Sequence, residues 1–206
     1  MKKLFLLLVL LMSTVGFAQK GKGKSATKNV VLTTVDNISA EIISEKTGKR
    51  VVLFVKKEGK VDTLEVKKLE KVDFKPTSFT VKSFTTQGKK FYHVNWKEEI
   101  KTDTKLKKEN GFVTEDQIWD TETKTLLLGN VHKSSHIKET IFLDANKTAS
   151  HDVEKNRSEG FEFTLNPDGS FVLKTKTQNS TYVYNTASSK YEMKGAPKTS
   201  GTKKKK

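Results

Sequence analysis

The strongest folding signal in this chain is a β-hairpin written into residues Glu159 to Lys176, EGFEFTLNPDGSFVLKTK. Its centre, NPDG at residues 166–169, has the chemistry of a type I turn closed by a left-handed glycine. Pro167 presets φ at the second turn position, and Gly169 accepts a positive φ without steric cost. A type I turn followed by such a glycine predicts a three-residue hairpin loop.

This turn also fixes which residues face one another across the hairpin. The predicted facing pairs are, counting from the turn, Asn166 with Ser170, Leu165 with Phe171, Phe163 with Leu173, and Glu162 with Lys174. In this register the apolar side chains share one face, since side chains alternate along a strand. An isolated hairpin is marginally stable in water. We therefore expect the rest of the chain to supply a sheet on which this apolar face packs.

A weaker version of the same turn lies upstream, at residues 143–149. Both segments run through an apolar residue, a turn opener, two turn residues, a left-handed position and a strand. Lys147 occupies the position that Gly169 occupies in the stronger turn, where a side chain is less comfortable. We expect a second hairpin reversal here and infer no internal repeat from so short a match.

The N-terminus, Met1 to Ala18, has the pattern of a secretory signal peptide. Two lysines precede an apolar run, and small residues at positions 16 and 18 predict cleavage between Ala18 and Gln19. The alternative is an uncleaved N-terminal anchor. We expect an exported protein, periplasmic or extracellular, that does not span a membrane after cleavage. The chain has no cysteine, so the exported domain must depend on its core without disulfides.

The net charge of +15 resides mainly in the two ends of the chain. Eleven lysines lie in the signal peptide (1–18), a flexible basic linker (19–28) and a lysine-rich tail (198–206), which leaves +4 for residues 29–197. No specific nucleic-acid partner is therefore expected. Lysine tails give weak, salt-sensitive attraction to anionic surfaces, and the alternative is a solvated tail that only aids solubility.

Residues 29–197 contain about a dozen segments with strand patterning and turn residues between them, and they predict one β-rich domain. A subdivision near residues 87–111 is left open. Arg50 to Lys56 (RVVLFVK) is the best candidate for a strand buried on both faces. Three segments are less clear: residues 38–44 suit a strand or short helix, 97–111 an exposed helix or long loop, and 151–158 a polar connection. We expect an all-β fold with little helix, an antiparallel β-sandwich or an up-and-down β-barrel built from hairpins.

No catalytic, cofactor-binding or metal-binding residue is assigned from the sequence, and the chain is not expected to be an enzyme. His132 and His136 are interpreted as surface histidines between strands, and Asp144 to Asn146 as a turn instead of a calcium loop. The carboxylates that stand out are Glu115, Asp116, Asp120 and Glu122, which cannot be paired without a structure. The aromatic residues Tyr92, Trp96, Trp119 and Tyr184 are expected in the core, with a glycan-stacking surface as the alternative.

These observations lead to three functional expectations. The first is a non-catalytic binding protein that holds a small hydrophobic ligand in an interior or cleft. The alternative is a structural or interaction protein that docks on an envelope component, a polysaccharide or a partner protein through its sheet surface and basic tails. The third is a hydrolase, which would require three or more Asp, Glu or His side chains converging in one cleft.

Overall fold

The computed structural model describes residues 29–45, 48–69 and 74–195. The predicted signal peptide, the linker 19–28 and the tail 198–206 lie outside these ranges. The described residues form three antiparallel sheets and no helix, which confirms the all-β prediction. Accordingly, this part of the chain contains no helix long and apolar enough to cross a membrane.

The N-terminal sheet is a four-stranded meander. Its strands are β1 (Val30–Val35), β2 (Ile38–Glu45), β3 (Gly48–Lys57) and β4 (Lys60–Leu69), in that order. Residues 38–44, predicted to form a strand or a short helix, lie in strand β2, which pairs with β1. In β3, three successive residues, Val51, Val52 and Leu53, are fully buried, as predicted for a strand covered on both faces.

The central sheet has five strands and the longest ladders of the molecule. They are β5 (Ser78–Thr86), β6 (Lys89–Asp103), β7 (Lys107–Asp120), β8 (Thr125–Phe142) and β9 (Ser150–Gly160). Pro76 lies just before β5, as expected for a residue that cannot donate to a ladder. The range 87–111, the alternative site for a division of the domain, runs through the β5–β6 turn, β6 and the start of β7.

Several polar segments of the central sheet form strands where the sequence predicted loops, a helix or a turn. Residues 97–111 form the second half of β6, a reversal and the start of β7 instead of an exposed helix or loop, and residues 151–158 lie inside β9. Gly129 and Asn130, a residue pair typical of turns, lie inside β8. These segments are strands because their neighbours satisfy their backbone hydrogen bonds, so solvent-facing side chains are free to be polar.

The C-terminal sheet contains the hairpin predicted above. Its strands are β10 (Glu162–Leu165), β11 (Phe171–Lys174), β12 (Asn179–Asn185) and β13 (Lys190–Met193). The predicted register is confirmed, including the facing of Leu165 with Phe171 and of Glu162 with Lys174. Gly169 has a φ of 79°, and its N–H donates to the Asn166 carbonyl at 3.0 Å. The weaker upstream turn is confirmed too, with Lys147 at a φ of 58°.

The central sheet is packed on both faces. We call the face that bears Trp96 and Trp119 the tryptophan face, and the face that bears His93, His132 and His136 the histidine face. The tryptophan face packs against the N-terminal sheet in one hydrophobic core. A second core joins Phe91 and Ile118 of the histidine face to Phe171 and Tyr184 of the C-terminal sheet.

The architecture is therefore a layered sandwich. All three sheets are open, each with two edge strands in the described part of the chain, so the closed barrel is not formed. The aromatic residues predicted to pack inside are buried, with exposed fractions of 4 % for Tyr92, 0 % for Trp96, 7 % for Trp119 and 5 % for Tyr184. Polar ties add to this packing: the Gln117 amide donates to the Val66 carbonyl at 3.1 Å and accepts from the Trp119 indole at 2.8 Å.

Candidate functional site

A cleft of about 490 Å³ lies between the histidine face of the central sheet and strand β10. Strands β6, β7 and β8 supply its floor, and β10 supplies one wall. The lining residues are His93, Asn95, Lys97, Thr114, Asp116, His132 and the four residues of β10, Glu162 to Leu165. In this cleft, polar groups lie beside apolar side chains, which is the ordinary composition of a ligand site.

Three hydrogen-bonded side chains form the floor of the cleft. His93 and Asn95 are two residues apart in β6, so both lie on the same face, and Asp116 faces Asn95 across the β6–β7 ladder. The Asp116 Oδ1 atom lies 2.8 Å from His93 Nε2 and 2.8 Å from Asn95 Nδ2. Only 6 % of the Asp116 side chain and 13 % of the His93 side chain are exposed. The three residues are held rigidly by the sheet and by one another.

This floor presents hydrogen-bond acceptors to the cleft. Both bonds to Asp116 end on Oδ1, so Oδ2 has no partner within the described ranges. The Asn95 amide nitrogen donates to Asp116 and to the Glu115 carbonyl at 3.3 Å. The Asn95 Oδ1 atom accepts no hydrogen bond from the described residues. With Asp116 as acceptor, a neutral His93 carries its proton on Nε2 and offers Nδ1 as a further acceptor. A ligand with several donors would fit this pattern.

The wall formed by β10 is apolar and well anchored. The Phe163 ring lies 4.9 Å from the His93 ring and 5.5 Å from the Phe171 ring, between centroids. Asn130 fixes the chain that enters β10, because its amide donates to the Phe161 carbonyl at 2.9 Å. Since β10 pairs only with β11 in the described residues, its outer edge borders the cleft. The wall can therefore hold an apolar ligand surface against Phe163.

The mouth of the cleft adds two more ionisable groups. His132 lies on β8, with Nε2 3.0 Å from the Ser158 hydroxyl, and Glu162 is an exposed residue of β10. His93, Asp116, His132 and Glu162 thus line a single cleft, which is the condition set above for considering a hydrolase. Within the described ranges, no group of three or more His, Cys, Asp or Glu side chains is arranged to hold a metal ion.

The two histidines at helical spacing are placed differently from the prediction. His132 and His136 both lie inside β8 instead of between strands. His136 is outside the cleft and exposed, and it contacts Asn156 Oδ1 at 2.9 Å and Glu154 Oε1 at 2.8 Å. These two hydrogen bonds raise the pKa of His136. The pair is a surface feature of the histidine face, and only His132 reaches the cleft.

The remaining carboxylates named from the sequence have local structural roles. Glu115 binds the Lys67 ammonium, and Asp120 accepts the backbone N–H groups of Glu122 and Thr123 in a turn. Asp144 behaves as a turn residue: hydrogen bonds from Thr148 and the residue after it lower its pKa. Of the predicted carboxylates, only Asp116 belongs to the cleft.

Sequence reasoning missed the group formed by His93, Asn95 and Asp116. A signal was present, because His93 and Asn95 interrupt the apolar segment of β6 from Phe91 to Trp96 and both lie on the face of Phe91. Their partner in β7 depends on a ladder register that the sequence does not reveal.

Comparison with protein-family models, curated proteins and solved structures found no match to this chain.

Proposed function

We propose that this protein is an exported, non-catalytic binding protein that takes a small ligand into the cleft between β10 and the histidine face. The observation that carries the proposal is the acceptor-rich floor of His93, Asn95 and Asp116 beneath the Phe163 wall. Rigid polar groups beside an apolar wall orient a ligand that has both donors and an apolar face. The proposed ligand is thus more polar than the hydrophobic one expected from the sequence pattern of short strands and inward aromatic residues.

A ligand screen by NMR on the isotope-labelled mature chain tests this proposal. Bound compounds should shift the amide signals of His93, Asn95 and Asp116. The variant Thr114→Phe should fill the cleft and abolish these shifts, because Thr114 lies on its floor. Thr63→Phe is the matched control, since Thr63 is an exposed strand residue of the N-terminal sheet. Binding that survives Thr114→Phe unchanged would count against the cleft as the ligand site.

Export is tested on the same protein by mass spectrometry. Recovered from its native host, the chain should begin at Gln19 and lie outside the cytoplasm, as the signal pattern predicts. An intact Met1 on the cytoplasmic protein would contradict this part of the proposal.

A hydrolase is the second candidate, because four ionisable side chains line the cleft. Binding without turnover is favoured because neither histidine of the cleft has both partners of a nucleophile–base–carboxylate arrangement within the described residues. His93 bonds Asp116 but no hydroxyl or thiol, and His132 contacts the Ser158 hydroxyl but no carboxylate. Ligands found in the screen should be recovered unchanged after long incubation. Product formation that disappears in His93→Gln would establish the hydrolase instead.

A further inference from the structure

A second depression opens at the far end of the histidine face. Its volume is about 150 Å³, and it lies between the β6–β7 reversal and strand β8. The reversal is held in place by backbone hydrogen bonds, from Thr104 to the Lys107 carbonyl at 2.9 Å and from Thr140 to the Leu106 carbonyl at 2.8 Å. The lining residues are Thr104 to Lys108, Lys138, Thr140 and Asp152.

The lining of this depression carries excess positive charge. Of its four lysines, Lys107 is paired with Glu109 at 2.7 Å. The other three, Lys105, Lys108 and Lys138, have no carboxylate partner within the described residues. The single carboxylate of the lining, Asp152, already accepts a hydrogen bond from the Thr140 hydroxyl at 2.7 Å. Three unpaired ammonium groups around one depression attract an anionic group.

An exposed strip connects the depression with the cleft. On β7 the cleft ends at Thr114 and the depression begins at Lys108, a separation of about 20 Å at the rise of an extended strand. Between them on the same face lie Asn110 and Phe112, and Phe112 is 46 % exposed. The strip thus offers one apolar ring midway between a polar cleft and a basic depression.

We infer that the ligand of the cleft is an acidic oligosaccharide that extends along the histidine face and places a carboxylate or sulfate group among Lys105, Lys108 and Lys138. This inference rests on the proposed function. Sugar hydroxyls donate to acceptors such as Asp116 Oδ2, and the C–H faces of sugar rings cover apolar rings such as Phe163 and Phe112.

The charge pattern of the strip favours a sparsely charged chain over a dense polyanion. Glu99 lies on the histidine face between Lys97 and Lys101, so the strip itself has mixed charge, whereas Asp103 faces Lys108 at the depression. A nucleic acid would place a phosphate against Glu99, with repulsion there. An oligosaccharide with an acidic group about 20 Å from its cleft-bound unit avoids this repulsion.

The test begins with an array of acidic and neutral oligosaccharides and the mature chain. The tightest acidic binder is then titrated by calorimetry beside its carboxyl-reduced or desulfated form. The triple variant K105Q/K108Q/K138Q should weaken binding of the acidic form at least about fivefold and leave binding of its neutral form unchanged. The control K56Q/K60Q/K68Q removes the same charge from exposed lysines of the N-terminal sheet and should change affinity less than about twofold.

Several outcomes would overturn the inference. These are an array without preference for acidic oligosaccharides, equal losses in the two triple variants, and equally tight binding of single-stranded DNA of matched length. The proposed function fails separately, if the neutral form binds Thr114→Phe as well as it binds the unaltered protein.

Discussion

Gly169 lies directly against Thr86, so that a Cβ atom on Gly169 would fall 2.4 Å from the Thr86 Cβ. Thr86 ends β5 of the central sheet and is 7 % exposed. The tip of the C-terminal hairpin is thus seated on the central sheet. The glycine that closes the turn also permits the contact between the two sheets.

Gly169→Ala should therefore destabilise the protein through two effects. A residue with a side chain is strained at a φ of 79°, by about 1–2 kcal/mol, and the contact with Thr86 adds about 1–3 kcal/mol of overpacking. Gly59→Ala is the matched control, because Gly59 has a φ of 73° but a Cβ atom added to it would meet nothing within 4 Å. Urea unfolding of both variants measures the difference. Equal losses of unfolding free energy in the two variants would show that the contact with Thr86 does not add to the destabilisation.

Gly111 supports a close approach within the central sheet. A Cβ atom there would lie 2.2 Å from the Ser134 carbonyl oxygen and 2.5 Å from the Ser135 Cβ, atoms of the facing strand β8. Gly111→Ala should cost about 2 kcal/mol or more, because the β7–β8 ladder has to shift. Gly129→Ala, whose nearest contact is an ordinary 3.6 Å to Leu126, should change the free energy of unfolding by less than about 1 kcal/mol. Thermal unfolding that ranks the two variants in the opposite order would contradict this account of Gly111.

Local turn chemistry made the hairpins predictable from sequence. The residues around Gly169 and Lys147 specify their own backbone conformations, so the reversals and the register of the C-terminal hairpin follow from a few neighbours. The long polar strands were not predictable in this way. Residues 151–158 carry little apolar signal, and they are a strand because β8 supplies a full ladder of hydrogen bonds.

The cleft, like the long polar strands, could not be predicted from neighbouring residues alone. Asn95 and Asp116 meet because β6 and β7 pair across a reversal at residues 104–106, and the apolar wall comes from Phe163, much later in the chain. The segments around Asn95, Asp116 and Phe163 can each be recognised as strands, but the site exists only where separate sheets are packed together. The aromatic core residues were easier to predict, since burial is the usual fate of tryptophan in a small β domain.

Glu109 should make stability depend on pH. It is 4 % exposed, and hydrogen bonds from Lys107 and Ser135 lower its pKa to about 2. Because the folded pKa lies below the unfolded value of about 4.5, this carboxylate stabilises the fold above pH 4.5. That contribution is lost as the pH falls from about 4.5 to about 2.

Glu109→Gln isolates this contribution. The difference in unfolding free energy between the unaltered protein and the variant should be largest near pH 6 and shrink steadily below pH 4.5, as urea titrations at several pH values would show. Glu99→Gln is the control, since Glu99 is exposed and has no cation partner in the described ranges. A difference for Glu109→Gln that stays constant with pH would mean that its ionisation does not contribute.

Lys67 joins the N-terminal sheet to the central sheet through charge. Its ammonium lies 2.8 Å from Glu98 Oε1, binds Glu115 as well, and lies 5.3 Å from the centre of the Trp96 ring. The Glu115 side chain is only 15 % exposed, so it is poorly placed to regain water if the lysine is removed. Lys67→Met should therefore cost about 1–3 kcal/mol, between the values for exposed and buried ion pairs.

A rescue variant separates this electrostatic loss from lost packing. Adding Glu115→Gln to Lys67→Met removes the more buried of the two carboxylates left without their cation, and it should recover at least about half of the lost stability. Arg157→Met, at the exposed pair with Glu159, should cost less than about 1 kcal/mol because both side chains remain solvated. Chemical denaturation of the three variants measures these differences. If the double variant is less stable than Lys67→Met alone, the lysine contributes through its packing on Trp96, and the charge link between the sheets is not what stabilises them.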